Sequence, residues 1–195
     1  ILCAHWDTRP RADRDKIPEN RNKPILGAND GASGTAVLLE LSRIMSKFPP
    51  PITIDAVFFD GEDYGEEGNL DEYFLGSRYF SKNPPYQGYE CAILLDMIGD
   101  RDLRIQKEEF SNYHFPDLVN DIWNRARKLG IKQFDQSIYG EILDDHRILA
   151  EIGIPSIDII DFDYQYWHTI QDTPDKCSSE SLKAVGEVII DYIYF

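Results

Sequence analysis

Histidine and carboxylate side chains follow four apolar segments of this 195-residue chain, at the points where those segments end. The residues found at these points are His5, Asp7, Glu62, Asp63, Asp96 and His168. Parallel strands end at the same edge of an open α/β sheet, and ligands bind at that edge. Imidazole nitrogens and carboxylate oxygens bind zinc, and a catalytic zinc site keeps one position open. The pattern therefore predicts a metal site with a neighbouring carboxylate that transfers protons.

Asp30 is a further candidate ligand, in the segment "GANDGASG" at residues 27–34. It precedes a predicted helix and lies among glycines, which allow a close approach of the backbone. Asp7 is the weakest candidate ligand, and a carboxylate there would better serve to orient His5. The glycine-rich segment also fits a simple turn followed by a helix cap.

Each of these residues, taken alone, has an ordinary structural explanation. In an acidic chain, a carboxylate at the end of a strand is usually a solvated turn residue. A single loop histidine such as His168 is more often a surface group or a hydrogen-bonded core group than a ligand. The joint pattern favours the metal site, because a histidine or an acid follows every one of the four apolar segments.

The segments that must position these residues alternate between strand and helix patterns. Short apolar runs predict buried strands at residues 1–5, 52–59, 91–95 and 154–160. Apolar residues spaced by three and four predict helices at residues 34–48, 115–130 and 178–195. Polar stretches without a period predict loops at residues 9–26 and 65–74, and long loops inside a domain are usually functional or mobile. The alternation predicts an α/β sheet covered by helices on both faces.

Length and composition limit the function classes. A chain of 195 residues is long enough for one domain with a sizeable core. The net charge of −15 argues against nucleic acids and anionic membranes as partners, because both need a basic surface. No apolar run is long enough to cross a bilayer, and three cysteines do not make a disulfide framework. The chain begins on the apolar strand "ILCAHWD" without an initiator methionine, so we expect a further segment upstream.

Six motifs make the sequence similar to a known group of enzymes. They are "AHWDTRP", "GANDGASG", "FFDGEDYG", "LLDMIGD", "LDDH" and "WHTIQDTPD". In this order they resemble the zinc-dependent M28 peptidase superfamily and, more narrowly, the bacterial glutaminyl cyclases related to the animal enzymes. The resemblance runs from residue 1 to the last helix. It implies one catalytic domain over residues 1–195 without the family's N-terminal elements, and a periplasmic or secreted location.

The same resemblance implies a fold and a set of ligands. The fold is a three-layer α/β/α sandwich around a mixed, mostly parallel sheet. Asp30, Asp63 and His168 would bind one zinc ion. In a di-zinc aminopeptidase, the other chemistry of the superfamily, His5 and Asp96 would complete a second site. All of these residues are present, so the ligand set alone does not separate the two enzymes.

Two features favour the cyclase. Aminopeptidases of this superfamily typically have Ser-Asp-His where this chain has Asp144-Asp145-His146. The resemblance implies that Asp144 is hydrogen-bonded with Asp96 and with Glu62, the proton-transferring base. Closely spaced carboxylates of this kind must share protons.

The second feature is an aromatic residue next to the predicted ligand. The cyclases carry a tryptophan before the zinc-binding histidine, and Trp167 matches it as a wall of the glutamine pocket. The alternative is that Trp167 only anchors the loop in the core. A further pocket tryptophan of the animal enzymes has no counterpart, and Tyr73 or Phe74 would take its place. Asp63 replaces a glutamate of the animal enzymes.

The resemblance therefore implies a zinc-dependent glutaminyl-peptide cyclotransferase. Its substrates would be peptides or proteins with an N-terminal glutamine, which is converted to pyroglutamate with release of ammonia. The first alternative is a di-zinc aminopeptidase that removes N-terminal residues. The second is a non-catalytic binding module, which the intact Glu62 and the full ligand set argue against.

Overall fold

A computed structural model describes residues 1–195 of the chain as six strands, six α-helices and three short 3-10 helices (Pro18–Asn20, Leu70–Glu72 and Pro174–Lys176). The strands are β1 (Leu2–His5), β2 (Ala56–Phe59), β3 (Ala92–Asp96), β4 (Ile105–Lys107), β5 (Phe134–Ile138) and β6 (Ser156–Ile160). The helices are α1 (Ala32–Lys47), α2 (Leu75–Lys82), α3 (Glu109–His114), α4 (Pro116–Leu129), α5 (Asp145–Glu151) and α6 (Ser179–Tyr194). None of the helices is long and apolar enough to cross a membrane.

Four of the strands form the central sheet in the order β2-β1-β3-β6, and all of their pairings are parallel. The register pairs Leu2 with Ala56 on one side and with Ile93 on the other. Strands β4 and β5 form a separate parallel pair. The four carboxyl ends of the central strands therefore lie along one edge of the sheet, which is where the predicted site residues stand.

Helices cover both faces of the central sheet, so the fold has three layers. Successive side chains of a strand point to opposite faces. On one face, Leu2 and Ala4 pack in the larger core with residues of α1, α4 and α6. On the other face, Cys3 packs in a smaller core with Leu149 of α5, and Phe80 of α2 lies against it. This arrangement confirms the predicted α/β/α sandwich.

Local sequence signals explain how the three long helices begin, end and pack. The Ser178 side chain accepts a hydrogen bond from the backbone N–H of Ser181 and caps α6. Gly130, with φ of 74°, ends α4 in the left-handed conformation that favours glycine. Gly34 of α1 lies against β3, where a Cβ would stand 2.0 Å from the carbonyl oxygen of Leu95. Because this position is a glycine, helix α1 can pack directly against the sheet. Asp30 lies just before that helix.

The sequence pattern missed the short elements. Helices α2, α3 and α5 have six to eight residues, too few to show a helical period, and the exposed residues of β5 hide its strand pattern. The strand predicted at residues 52–59 begins only at Ala56. The physical reason is that β1 has just four residues, so it pairs only with residues 56–59.

Candidate active site and metal centre

The predicted site residues meet at the carboxyl edge of the sheet. His5 ends β1 and Asp96 ends β3, while Asp63 follows β2 after a short turn. Asp30 lies just before α1, and His168 lies in the loop between β6 and α6. All five side chains are buried. Parallel strand order therefore brings together groups that are far apart along the chain.

One group of potential ligands consists of Asp30, Asp63 and His168, the set that the resemblance implies. Nε2 of His168 lies 3.4 Å from Oδ2 of Asp30 and 3.2 Å from Oδ1 of Asp63. The Oδ2 atoms of both aspartates are buried and have no hydrogen-bond donor. Buried carboxylate oxygens are normally paired or bound to a metal ion. The three residues therefore fit a divalent cation such as zinc.

A second group shares Asp30 with the first and adds His5 and Asp96. Nε2 of His5 lies 3.0 Å from Oδ1 of Asp96 and 3.3 Å from Oδ1 of Asp30. These are the residues expected for the second ion of an aminopeptidase. The ligand geometry accommodates either a one-metal or a two-metal site.

The electrostatics of the first group favour a bound cation. Burial and the negative charge of Asp30 raise the pKa of Asp63 to about 6. Burial alone lowers the pKa of His168, but its contacts with Asp13, Asp30 and Asp63 outweigh burial and raise it to about 11. Each of these shifts has the same origin, which is an excess of negative charge in a buried site. A divalent cation would neutralise that charge.

Three further carboxylates, Glu62, Asp96 and Asp144, line the cleft beside these ligands. Burial and the negative charges of Asp63 and Asp144 raise the pKa of Glu62 well above its ordinary value. Burial and the charge of Asp96 do the same for the pKa of Asp144. These carboxylates therefore take up protons more readily than free ones, as a residue that accepts and returns a proton must.

The hydrogen bonds expected between Asp144, Asp96 and Glu62 stay a prediction, and both aspartates have other partners in the structure. Oδ1 of Asp144 accepts the backbone N–H of Asp145 at 2.5 Å, as the N-cap of α5. Oδ1 of Asp96 is paired with His5. The N-cap side chain of a helix turns back onto the first turn of that helix. The three carboxylates act on each other through their charges.

The cleft has a volume of about 450 Å³, and aromatic residues form much of its wall. The predicted pocket residues Tyr73, Phe74 and Trp167 all line it, together with Phe162. The indole of Trp167 packs on the ring of Phe162 at a centroid distance of 5.0 Å. A cleft of this size lies within the ordinary range of small-molecule sites.

Backbone strain is confined to the wall of this cleft. The non-glycine residues with positive φ are Phe74 at 59°, Met97 at 46° and His168 at 53°. All three line the cleft. Such conformations persist where the surrounding structure holds them, and they concentrate at functional sites. The backbone N–H of Phe74 donates to the carbonyl of Glu62, so the strained pocket residue is tied to the candidate base.

Two aspartates, Asp7 and Asp172, hold the loops that carry the ligands. Oδ1 and Oδ2 of Asp7 accept the backbone N–H groups of Glu62 and Asp63 at 3.1 and 3.2 Å. Asp7 also lies 3.5 Å from Nδ1 of His5, the residue it was predicted to orient. Asp172 performs the equivalent task for the "GAND" loop, accepting the N–H of Asp30 at 3.1 Å. Sequence reasoning missed Asp172, although it stands in the same "WHTIQDT" motif as His168.

A fully buried polar cluster, Glu108–His146–Asp158, lies behind the start of α5. Nε2 of His146 is 3.4 Å from Oε2 of Glu108, and Nδ1 of His146 is 3.7 Å from Oδ2 of Asp158. Burial raises the pKa of Asp158 well above its ordinary value. No motif pointed to this cluster, because its members belong to three separate elements of the fold.

Comparison with known proteins agrees with this geometry. The family model described as Peptidase family M28 matches residues 1–193, and the chain belongs to that family. Glutaminyl-peptide cyclotransferase of Bos taurus is 24% identical to it over 100% of this chain. The chain spans less than two thirds of the length of such curated relatives, 62% for the bovine protein.

Solved bacterial structures are more similar. A glutaminyl cyclase of Bacteroides thetaiotaomicron is 41% identical with a TM-score of 0.94, over 99% of this chain and 71% of that one. A protein described as a leucine aminopeptidase precursor from the same organism is 42% identical with a TM-score of 0.95, over 99% of this chain and 70% of that one. These relatives confirm the predicted family and fold, and they include both chemistries that the motifs suggested.

Proposed function

We propose that residues 1–195 are the catalytic domain of a zinc-dependent glutaminyl-peptide cyclotransferase. Its substrates would be peptides and proteins with an N-terminal glutamine. The proposal rests mainly on the position of Asp144. This residue is buried in the cleft wall and is the first residue of the Asp-Asp-His triplet. A carboxylate at this position is the feature that separates cyclases from aminopeptidases in the resemblance described above.

Asp30, Asp63 and His168 would hold the zinc ion, because they leave buried oxygens for it to pair with. When bound, zinc acts as a Lewis acid on the γ-carbonyl group of the glutamine side chain. Residues of the chain itself would transfer the proton, stabilise charge and position the substrate.

Glu62 is the group that moves the proton. The α-amine of the substrate attacks its own γ-carbonyl carbon, a C–N bond forms, and the bond to the amide nitrogen breaks. Glu62 accepts one proton from the amine and returns it to the leaving nitrogen, which departs as ammonia. Its pKa is raised by burial and by the charges of Asp63 and Asp144, so it accepts a proton more readily than a solvated glutamate does.

Asp96 and Asp144 provide negative charge beside the nitrogen that leaves. Both are buried at the cleft wall, where a charge acts more strongly than in water. They would stabilise positive charge that develops on the departing nitrogen and hold Glu62 ready to donate. Burial raises the pKa of both residues; the charge of Asp96 adds to the shift of Asp144, whereas His5 opposes the shift of Asp96. Such a group of carboxylates shares protons.

The aromatic wall of Trp167, Tyr73 and Phe74 would hold the substrate with its amine close to the carbonyl. Ring closure needs no water molecule, since the nucleophile belongs to the substrate. Enforced proximity of the two reacting groups then contributes much of the rate.

The direct test is mass spectrometry of a glutamine-initiated peptide incubated with the protein. We expect loss of ammonia at unchanged peptide length. A shortened peptide would instead indicate the aminopeptidase, and an unchanged peptide would indicate a binding module. The same peptide with N-terminal alanine is the matched control, because it can be shortened but cannot be cyclised.

The aminopeptidase is kept as the alternative because His5, Asp30 and Asp96 form a second group with ligand geometry. Elemental analysis distinguishes the two enzymes independently of activity. The cyclase proposal expects one tightly bound zinc ion per chain. Two ions at full occupancy would support the peptidase.

A further inference from the structure

The two ring nitrogens of His168 face different carboxylates. Nε2 faces Asp30 and Asp63 at 3.4 and 3.2 Å, inside the proposed metal centre. Nδ1 faces the other way, and Oδ1 of Asp13 lies 3.6 Å from it. This separation is that of an ion pair rather than a formed hydrogen bond. Asp13 comes from the long polar loop at residues 9–26, and no motif identified it.

Asp13 is itself held by Arg9, a buried arginine with a side chain only 2% exposed. Nε of Arg9 donates to both carboxylate oxygens of Asp13 at 3.2 Å, and Nη2 donates to Oδ2. On its other side, Nη1 of Arg9 donates to the carbonyl oxygens of Asp63 and Gly65 at 2.9 and 2.8 Å. The guanidinium also lies over the ring of Tyr73, 5.3 Å from its centroid. Arg9 therefore connects the carboxylate behind one ligand to the backbone of another.

The same segment also holds the backbone of His168. The backbone N–H of Arg14 donates to the carbonyl oxygen of His168 at 3.2 Å. This bond restrains a residue with φ of 53°, a strained value for histidine. Residues 9–14 thus contact His168 through its ring and through its main chain.

We propose that Asp13 is a positioning residue for His168, with Arg9 fixing the position of Asp13. This inference rests on the proposed function in one respect, that the site binds a metal ion. Asp13 would hold the proton on Nδ1, so that Nε2 presents its lone pair to the metal in one fixed ring orientation. A carboxylate behind a ligating histidine also makes the histidine a stronger ligand, and its loss typically weakens metal binding 10- to 100-fold.

The test compares zinc affinity in Asp13→Asn and in a matched control, Glu67→Gln. Glu67 is 74% exposed and pairs with Arg14 at 3.2 Å, so its substitution removes an equal charge from the same region without contact to His168. Zinc is removed from the full chain, and its dissociation constant is measured by competition with a chelator. We expect about 10- to 100-fold weaker binding for Asp13→Asn and an almost unchanged constant for Glu67→Gln. Equal losses of zinc affinity in both variants would overturn the inference, because they would show that removing any negative charge from this region weakens zinc binding.

A spectroscopic measurement separates positioning from loosening of the fold. The chain has four histidines, His5, His114, His146 and His168, so nitrogen-15 labelling of histidine produces few signals. In the zinc-bound protein we expect Asp13→Asn to shift the Nδ1–H signal of His168 while those of His114 and His146 stay in place. Movement of every histidine signal would indicate a structural role and overturn the inference.

Where Asp13→Asn does not fold, Arg9→Lys takes its place. Lysine keeps the positive charge but cannot donate to Asp13 and to the Asp63 carbonyl in the same fixed geometry. The expected result is weaker zinc binding and the same shift of the His168 signal. If the parent protein binds zinc but the variants keep its zinc affinity and its His168 signal, this inference alone is overturned. A parent that binds no zinc overturns the proposed function and this inference with it.

Discussion

The indole of Trp167 lies against the imidazole of His168, with ring centroids 4.0 Å apart and planes 30° from parallel. The guanidinium of Arg14 lies over the same indole at 5.4 Å. Trp167 is half-buried and lines the cleft, whereas His168 is buried. One aromatic side chain thus packs on a proposed ligand and forms part of the surface that a substrate would meet.

Substitution of Trp167 by alanine is expected to reduce catalytic efficiency by about 10- to 100-fold, because positioning errors near a reacting centre are costly. Zinc content should stay unchanged, since no ligand is removed. Cyclisation kinetics and melting temperature, measured on the same sample, check this. If the indole is only a core anchor, the variant should instead lose about 3–5 kcal/mol of stability and turn over normally when folded. Trp167→Phe is the control that keeps an aromatic wall.

Glu62→Gln should reduce turnover by about 10²- to 10⁴-fold, while zinc remains bound. The amide has almost the shape of the carboxyl group but cannot accept and return a proton. Single-turnover assays with a glutamine-initiated peptide and elemental analysis of the same preparation test this. Activity close to that of the parent would assign the proton transfer to another residue.

Asp144→Ser separates the structural role of Asp144 from its catalytic one. Serine is also a good N-cap, so α5 and the melting temperature should be maintained. Cyclisation should nevertheless fall by at least about 100-fold, because the buried negative charge beside Glu62 is lost. Near-normal cyclase activity in this variant would show that the carboxylate at this position does not distinguish a cyclase from an aminopeptidase.

Asp172→Asn tests how the "GAND" loop is held. Asp172 accepts the backbone N–H of Asn29 at 2.9 Å, that of Asp30 at 3.1 Å and the hydroxyl of Tyr164 at 2.8 Å. Asparagine has only one acceptor oxygen, so a buried donor loses its partner at a cost of about 1–3 kcal/mol. Denaturant unfolding of the metal-free protein measures this cost. Tyr164→Phe, which removes only the hydroxyl contact, should cost less, and an equal cost would show that the backbone bonds contribute little.

Glu108 should make stability depend on pH in a defined window. Burial raises its pKa, but the nearby imidazole of His146 and the hydrogen bonds from Ser111 outweigh burial and lower the pKa to about 2, below the ordinary value of 4.5. Ionised Glu108 therefore contributes to the free energy of unfolding above pH 4.5, and this contribution is lost as the pH falls towards 2. The whole contribution is about 3 kcal/mol. Glu108→Gln should lack this part of the pH dependence. Urea unfolding of parent and variant across the window checks this, and parallel curves would contradict it.

Several features could be read from the sequence because they are local or periodic. The short apolar runs identified the four central strands. Strands β1, β3 and β6 are buried on both faces and are therefore apolar almost throughout, whereas β2, predicted as buried, is a largely exposed edge strand. Strand order along one edge then explained why His5, Asp96, Asp63 and His168 should meet. The motif predicted Trp167 as a pocket residue, and in the structure it lines the cleft.

The tertiary structure decided which groups support those residues. Arg9 pairs with Asp13, four residues further along the chain. Asp13 faces His168, and Asp172 accepts the backbone N–H of Asp30, although the members of these two pairs are far apart in the chain. Periodicity and motifs carry no information on such contacts, because they depend on how two irregular loops pack against each other. The N-cap role of Asp144 is a similar case, since α5 is too short for its period to appear. The sequence by itself determined the α/β class and the reactive groups, while loop packing determined how each group is oriented and which partner sets its charge.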